Sequence, residues 1–105
     1  MEDYDFYRER KNICGDRIRM TRKHCRARRK SMTQRELSTR LAEKGCHLSR
    51  LAIGRIENGE REISDIELLH IAAVLEVEVN YLLCGDRSVE EVVRVFADGK
   101  KTDME

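Results

Sequence analysis

Arg50 and Arg55 stand five residues apart in the stretch LSRLAIGRIENG, Leu48 to Gly59. A guanidinium offers two parallel N–H donors, a geometry that matches guanine O6 and N7. One good pair of such bonds is worth about 1–3 kcal/mol of discrimination between bases. Leu51 offers the kind of apolar surface that packs on a thymine methyl. On a helix starting after Ser49, Arg50, Leu51, Gly54 and Arg55 fall on one side. Ala52, Ile53 and Ile56 fall on the other, with Leu51 at the margin. Ser49 is placed to cap this helix and Asn58-Gly59 to end it. Gly54 is the exception, because glycine costs a helix about 1 kcal/mol relative to alanine. Either it is only tolerated, or backbone must come close to something there.

Other chemistries find less support. The cysteines are Cys14, Cys25, Cys46 and Cys84, and no CxxC occurs. They are expected to be free thiols, at least two of them buried as small hydrophobes. His24-Cys25 and Cys46-His47 are adjacent pairs. Neighbouring side chains on a helix point about 100° apart, a poor arrangement for chelating one ion, so no metal site is expected. No GxSxG, Gly-rich phosphate loop or HExxH is present, and the three histidines are scattered. Neither enzyme chemistry nor a cofactor is expected.

Charge is unevenly distributed. The formal net charge of the 105 residues is only +1. Yet Arg8 to Arg40 holds 13 Lys/Arg against 3 Asp/Glu, and Ile56 to Glu105 holds 5 against 13. The front half attracts a polyanion and the back half repels one. The run RKHCRARRK, Arg22 to Lys30, is either a phosphate-contacting surface or simply solvated. No run approaches the ~18 apolar residues of a membrane span, and the polar N-terminus does not read as a signal peptide. A cytoplasmic protein without membrane contact is expected.

Helices must position these groups. The chain has no proline, and its cap signals recur. Gly15 to about Arg29 reads as a helix with Ile18 and Cys25 on one face. Thr33 with Glu36 is a capping box opening a helix with Leu37, Leu41 and Ala42 inward, closed by Gly45. Ser64 with Glu67 opens another, carrying Leu68, Ile71, Ala72 and Leu75. Val77, Val79, Leu82 and Leu83 form a short apolar turn or helix ending at Gly85. Ser88 with Glu91 precedes Val89, Val92, Val93 and Phe96, one face of a last helix. That face either pairs with a second copy or packs on the N-terminal Tyr4, Phe6 and Tyr7. No strand is expected, so the fold class is all-α.

Two helices joined by a Gly-containing turn make a helix-turn-helix unit, whose second helix enters the major groove. The stretches MTQRELSTRLAEKG and LSRLAIGRIENGEREISDIELLHIAAVLEVEVNYLL carry a resemblance on Thr33-Gln34, Leu37, Ser49, Ile53, Ile56-Glu57, Gly59, Ile71-Ala72, Leu75 and Val77. Over about Gly15 to Leu83 the chain resembles the phage Cro/repressor-type, or XRE, family of helix-turn-helix proteins. The resemblance implies a compact four- to five-helix bundle of the lambda-repressor-like type, here with an extra C-terminal helix. Residues 1–14 then form an extension or arm, 15–85 the DNA-binding domain, and 86–105 an amphipathic helix and tail.

It further implies a sequence-specific transcriptional regulator, a repressor, that reads double-stranded DNA with helix 49–58 as a homodimer. Its site would comprise Gln34, Arg35, Ser49, Arg50, Leu51, Gly54, Arg55 and Asn58. Gln34 would bond a phosphate or brace the reading helix. Glu57 would pair with an arginine, with Arg22, Arg26 and Arg28 as candidates. The alternative reading is an antitoxin-like module whose acidic half holds a partner protein. Two departures from the family pattern stand out. Ser38 replaces a usual alanine, and the span from Gln34 to Glu57 is long, so the first motif helix is longer or the connection is wider.

Overall fold

The computed structural model describes residues 8–24 and 31–103. Its helices are α1 (Gly15–Lys23), α2 (Gln34–Glu43), α3 (Arg50–Glu57), α4 (Asp65–Leu75), α5 (Val79–Cys84) and α6 (Val89–Asp103). No strand occurs among the described residues.

The helices start where a side chain takes over N–H groups that have no partner in the first turn. Thr33 Oγ1 accepts from the Glu36 N–H at 3.0 Å, and the Glu36 carboxylate accepts from the Thr33 N–H at 3.2 Å. Ser64 and Glu67 repeat the reciprocal pair at 3.0 Å each way, and Ser88 with Glu91 at 3.1 and 3.3 Å. Helix α2 stops at Gly45, whose φ of 88° is open to glycine at no steric cost.

The core takes a contribution from every helix up to α5. Ile18, Leu37, Leu41, Ile53, Ile56, Ile71, Leu75 and Leu82 are all essentially inaccessible to water. Met32, in the connection before α2, joins them. No single helix among the described residues is long and apolar enough to cross a membrane.

Three expectations need correcting. Helix α1 ends at Lys23 rather than near Arg29. The Arg22 carbonyl, which a longer helix would bond to the fourth residue on, instead accepts from the Met32 N–H at 2.9 Å. That bond brings the chain back and seats Met32 in the core. Ala42 is exposed rather than inward, because Leu37 and Leu41 already fill the inward stripe of α2. The long span before α3 is a wider connection and not a longer helix, since α2 has only ten residues. The pairing of Ile18 with Cys25, the basic residues Arg26 to Lys30 and the aromatics Tyr4, Phe6 and Tyr7 lie outside the described residues.

Candidate nucleic-acid interface

Helix α3 divides cleanly. Ile53 and Ile56 are 1% exposed and hold it to the core, with Ala52 packed partly against them. Arg50, Leu51 and Arg55 face solvent, Leu51 at 66% exposure. Ser49 caps the helix, its Oγ accepting from the Ala52 N–H at 3.0 Å. Arg35, near the start of α2, is exposed, and Gln34 beside it is half-buried.

Gly54 sits between the arginines, next to Gln34. A Cβ there would meet only the Gln34 amide, at 3.7–3.8 Å, an ordinary contact distance. Nothing inside the fold therefore requires glycine at this position. The contrast is Gly15, where a Cβ would lie 2.2 Å from the Ile56 carbonyl oxygen. At Gly15 the start of α1 crosses the end of α3, and only glycine fits.

The end of α3 is held by a buried ionic cluster. Glu57, wholly inaccessible, accepts from Arg22 Nε at 2.7 Å and from Arg22 Nη2 at 2.9 Å, a two-pronged pair. Arg22 is the partner that the sequence left open, and its Nη1 also donates to the Met32 carbonyl at 2.9 Å. Gln34 Nε2 donates to Glu57 Oε1 at 3.0 Å, so Gln34 braces α3. Arg19 Nε lies 3.5 Å from the same carboxylate, and Arg19 Nη2 donates to Asn58 Oδ1. Burial alone would raise the Glu57 pKa. The hydrogen bonds from Arg22 and Gln34, with the charges of Arg22 and Arg19, overcome it and hold the carboxyl below its ordinary range.

The wide connection between α2 and α3 is pinned rather than loose. Cys46 N–H bonds the Leu41 carbonyl at 2.9 Å, and Cys46 and Leu48 are buried. Ser38 Oγ donates to the Leu48 carbonyl at 2.6 Å. The serine that departs from the family pattern therefore ties down the residues that lengthen it. It fixes the point from which Ser49 launches α3.

Sequence reasoning missed Asn12. Its Nδ2 donates to the carbonyls of Ile56 at 3.0 Å and Arg61 at 2.8 Å. Its Oδ1 accepts from the N–H groups of Cys14 at 3.1 Å and Gly15 at 2.7 Å. One buried amide thus caps the start of α1 and the end of α3 together. An Asn just ahead of a helix start is a capping signal that could have found the first role; nothing in the sequence marks the second. Arg19 was also missed, although it lies three residues before Arg22 and so on the same helix face.

The cysteines take no part. Cys14, Cys46 and Cys84 are buried free thiols, and burial pushes the Cys14 thiol up to about 11. Cys46 points inward while His47 is exposed, so the two do not converge. Among the described residues no group of three or more His, Cys, Asp or Glu could hold a metal ion.

A family model for a helix-turn-helix matches residues 23–82, from the end of α1 into α5. Neither the curated proteins nor the solved structures give a match.

Proposed function

The chain belongs to the XRE-type helix-turn-helix family of DNA-binding transcription regulators, and from that premise we propose that it is a sequence-specific repressor reading the major groove with α3. One observation supports this most: Arg50, Leu51 and Arg55 face solvent around a glycine that the fold itself does not need. Arg50 and Arg55 supply paired donors to base edges and Leu51 an apolar contact. Ser49 and Arg35 stand where the first turns of α3 and α2 approach phosphates, and Gln34 and Asn58 hold the geometry between them. In this reading the DNA-binding unit takes in residues 15–85 together with Asn12 and Cys14. Residues 86–105 serve assembly of a homodimer, and the protein works in the cytoplasm.

The test starts from a duplex selected from a random pool by the wild-type protein. Binding of that duplex and of random DNA is followed by fluorescence anisotropy across a salt series. Affinity for both is expected to fall steeply with salt, as phosphate contacts release counterions. Arg50→Ala and Arg55→Ala are each expected to lose about 1–3 kcal/mol of discrimination while keeping most of their affinity for random DNA. Full discrimination in both variants would remove α3 as the reading helix.

A further inference from the structure

On the side of α1 turned away from α3, a groove of about 620 Å³ opens between the C-terminal half of α1 and the junction of α4 with α5. Leu75 and Val77 give it apolar surface, and Met20 and Tyr81 stand exposed beside them, at 60% and 38%. Three carboxylates, Glu76, Glu78 and Asp86, share the lining, with His24. No Lys or Arg lines it, and among the described residues none of the three carboxylates is ion-paired. Neither α2 nor α3 contributes a lining residue.

Charge decides what such a groove can take. A phosphate backbone would be repelled by the carboxylates. A second copy's α6 would bring Glu90 and Glu91 of its first turn against them. A volume of roughly 300–1,000 Å³ is the usual range for a small molecule. An aromatic ring beside carboxylates and apolar surface favours a cation carried on an apolar frame. The backbone adds an independent point. Glu76 ends α4 with φ of 57°, in the left-handed region where glycine is the least strained residue. A carboxylate stands there, facing the groove.

We propose that this groove binds a small organic cation with an apolar body, an amine or quaternary centre on a hydrocarbon or aromatic frame. The ligand's apolar part lies on Leu75, Val77 and Met20. Its charge sits between Tyr81 and the carboxylates of Glu76 and Glu78. The site is independent of the DNA-reading surface.

Isothermal titration of the full chain with tetraphenylphosphonium tests this, with triphenylphosphine oxide as a neutral probe of similar frame. The phosphonium is expected to bind saturably, one per chain, and the oxide at least tenfold more weakly. Glu76→Gln combined with Glu78→Gln is expected to weaken the phosphonium at least tenfold, and Tyr81→Ala to weaken it as well. Glu76→Gly relieves the backbone at that position, so it is expected to fold and still to bind the phosphonium more weakly. All these variants are expected to keep wild-type affinity for DNA, so loss of the cation site and failure of the DNA reading are told apart. Absence of saturable binding at millimolar phosphonium, equal binding of the oxide, or unchanged affinity in the carboxylate variants would each overturn the proposal.

Discussion

At the scale of the residue, Gly54 holds a position that stability alone does not favour. Its surroundings leave room for a methyl group, since the nearest atoms to an added Cβ are those of the Gln34 amide at 3.7 Å and beyond. Alanine would then gain the helix propensity that glycine gives up, about 1 kcal/mol. Gly54→Ala is expected to raise the free energy of unfolding by that amount in urea titrations. The same variant is expected to bind the selected duplex several-fold more weakly, because a methyl group would stand between α3 and the groove floor. Higher stability with unchanged DNA affinity would mean that the glycine is merely tolerated. The oddity of this glycine was legible in the sequence. That the interior does not explain it was not, because that depends on where Gln34 lies, and Gln34 belongs to another helix.

At the scale of the elements, the fold holds α3 by its last residues. Glu57 gathers α1 through Arg22 and Arg19 and α2 through Gln34, while Asn12 grips the Ile56 carbonyl from the other side. Much of this layout could be read from local signals. The three capping boxes at Thr33, Ser64 and Ser88 placed three helix starts, because a cap is a matter of residues three apart. The end of α1 could not be read that way, since it is set by Met32, ten residues on from Arg22. The choice of Arg22 for Glu57 likewise depended on the approach of two helices. The cluster carries a dependence on pH. The folded-state pKa of Glu57 lies below its unfolded value, so its contribution is fully present above the unfolded carboxylate range, near pH ~4.3. It is lost as pH falls through the lower folded value. Glu67, held down chiefly by its hydrogen bonds with Arg61, adds in the same direction. Thermal melts are expected to be flat near neutrality and to drop on acidification below that range. Glu57→Gln, which strands the buried Arg22, is expected to cost roughly 3–5 kcal/mol at neutral pH. It should also flatten the acid side of the profile. An equally steep acid side in this variant would place the acid sensitivity elsewhere.

At the scale of the whole molecule, the described chain is drawn out, 48 Å along one axis against 24 and 23 Å across. Helices α1–α5 close on one core, whereas α6 packs closely on none of them. Among its residues 89–98 only Val92 is buried, while Val89 and Val93 are 58% and 59% exposed. Those two valines lie one turn apart on one face, the arrangement a partner helix can cover. A two-fold dimer through this face would present two copies of α3 to successive turns of the major groove, with each α6 meeting its own counterpart. Paired substitution to aspartate at Val89 and Val93 puts four carboxylates into such an interface without touching the core. Sedimentation equilibrium is expected to show a wild-type dimer and a monomeric double variant of unchanged helicity. The variant should bind a half-site duplex as the wild type does, yet lose at least tenfold on a duplex bearing two half-sites one turn apart. A double variant that stayed dimeric would move the assembly to another face. One that became monomeric with full affinity for the two-half-site duplex would show that α3 reads DNA without help from a second copy.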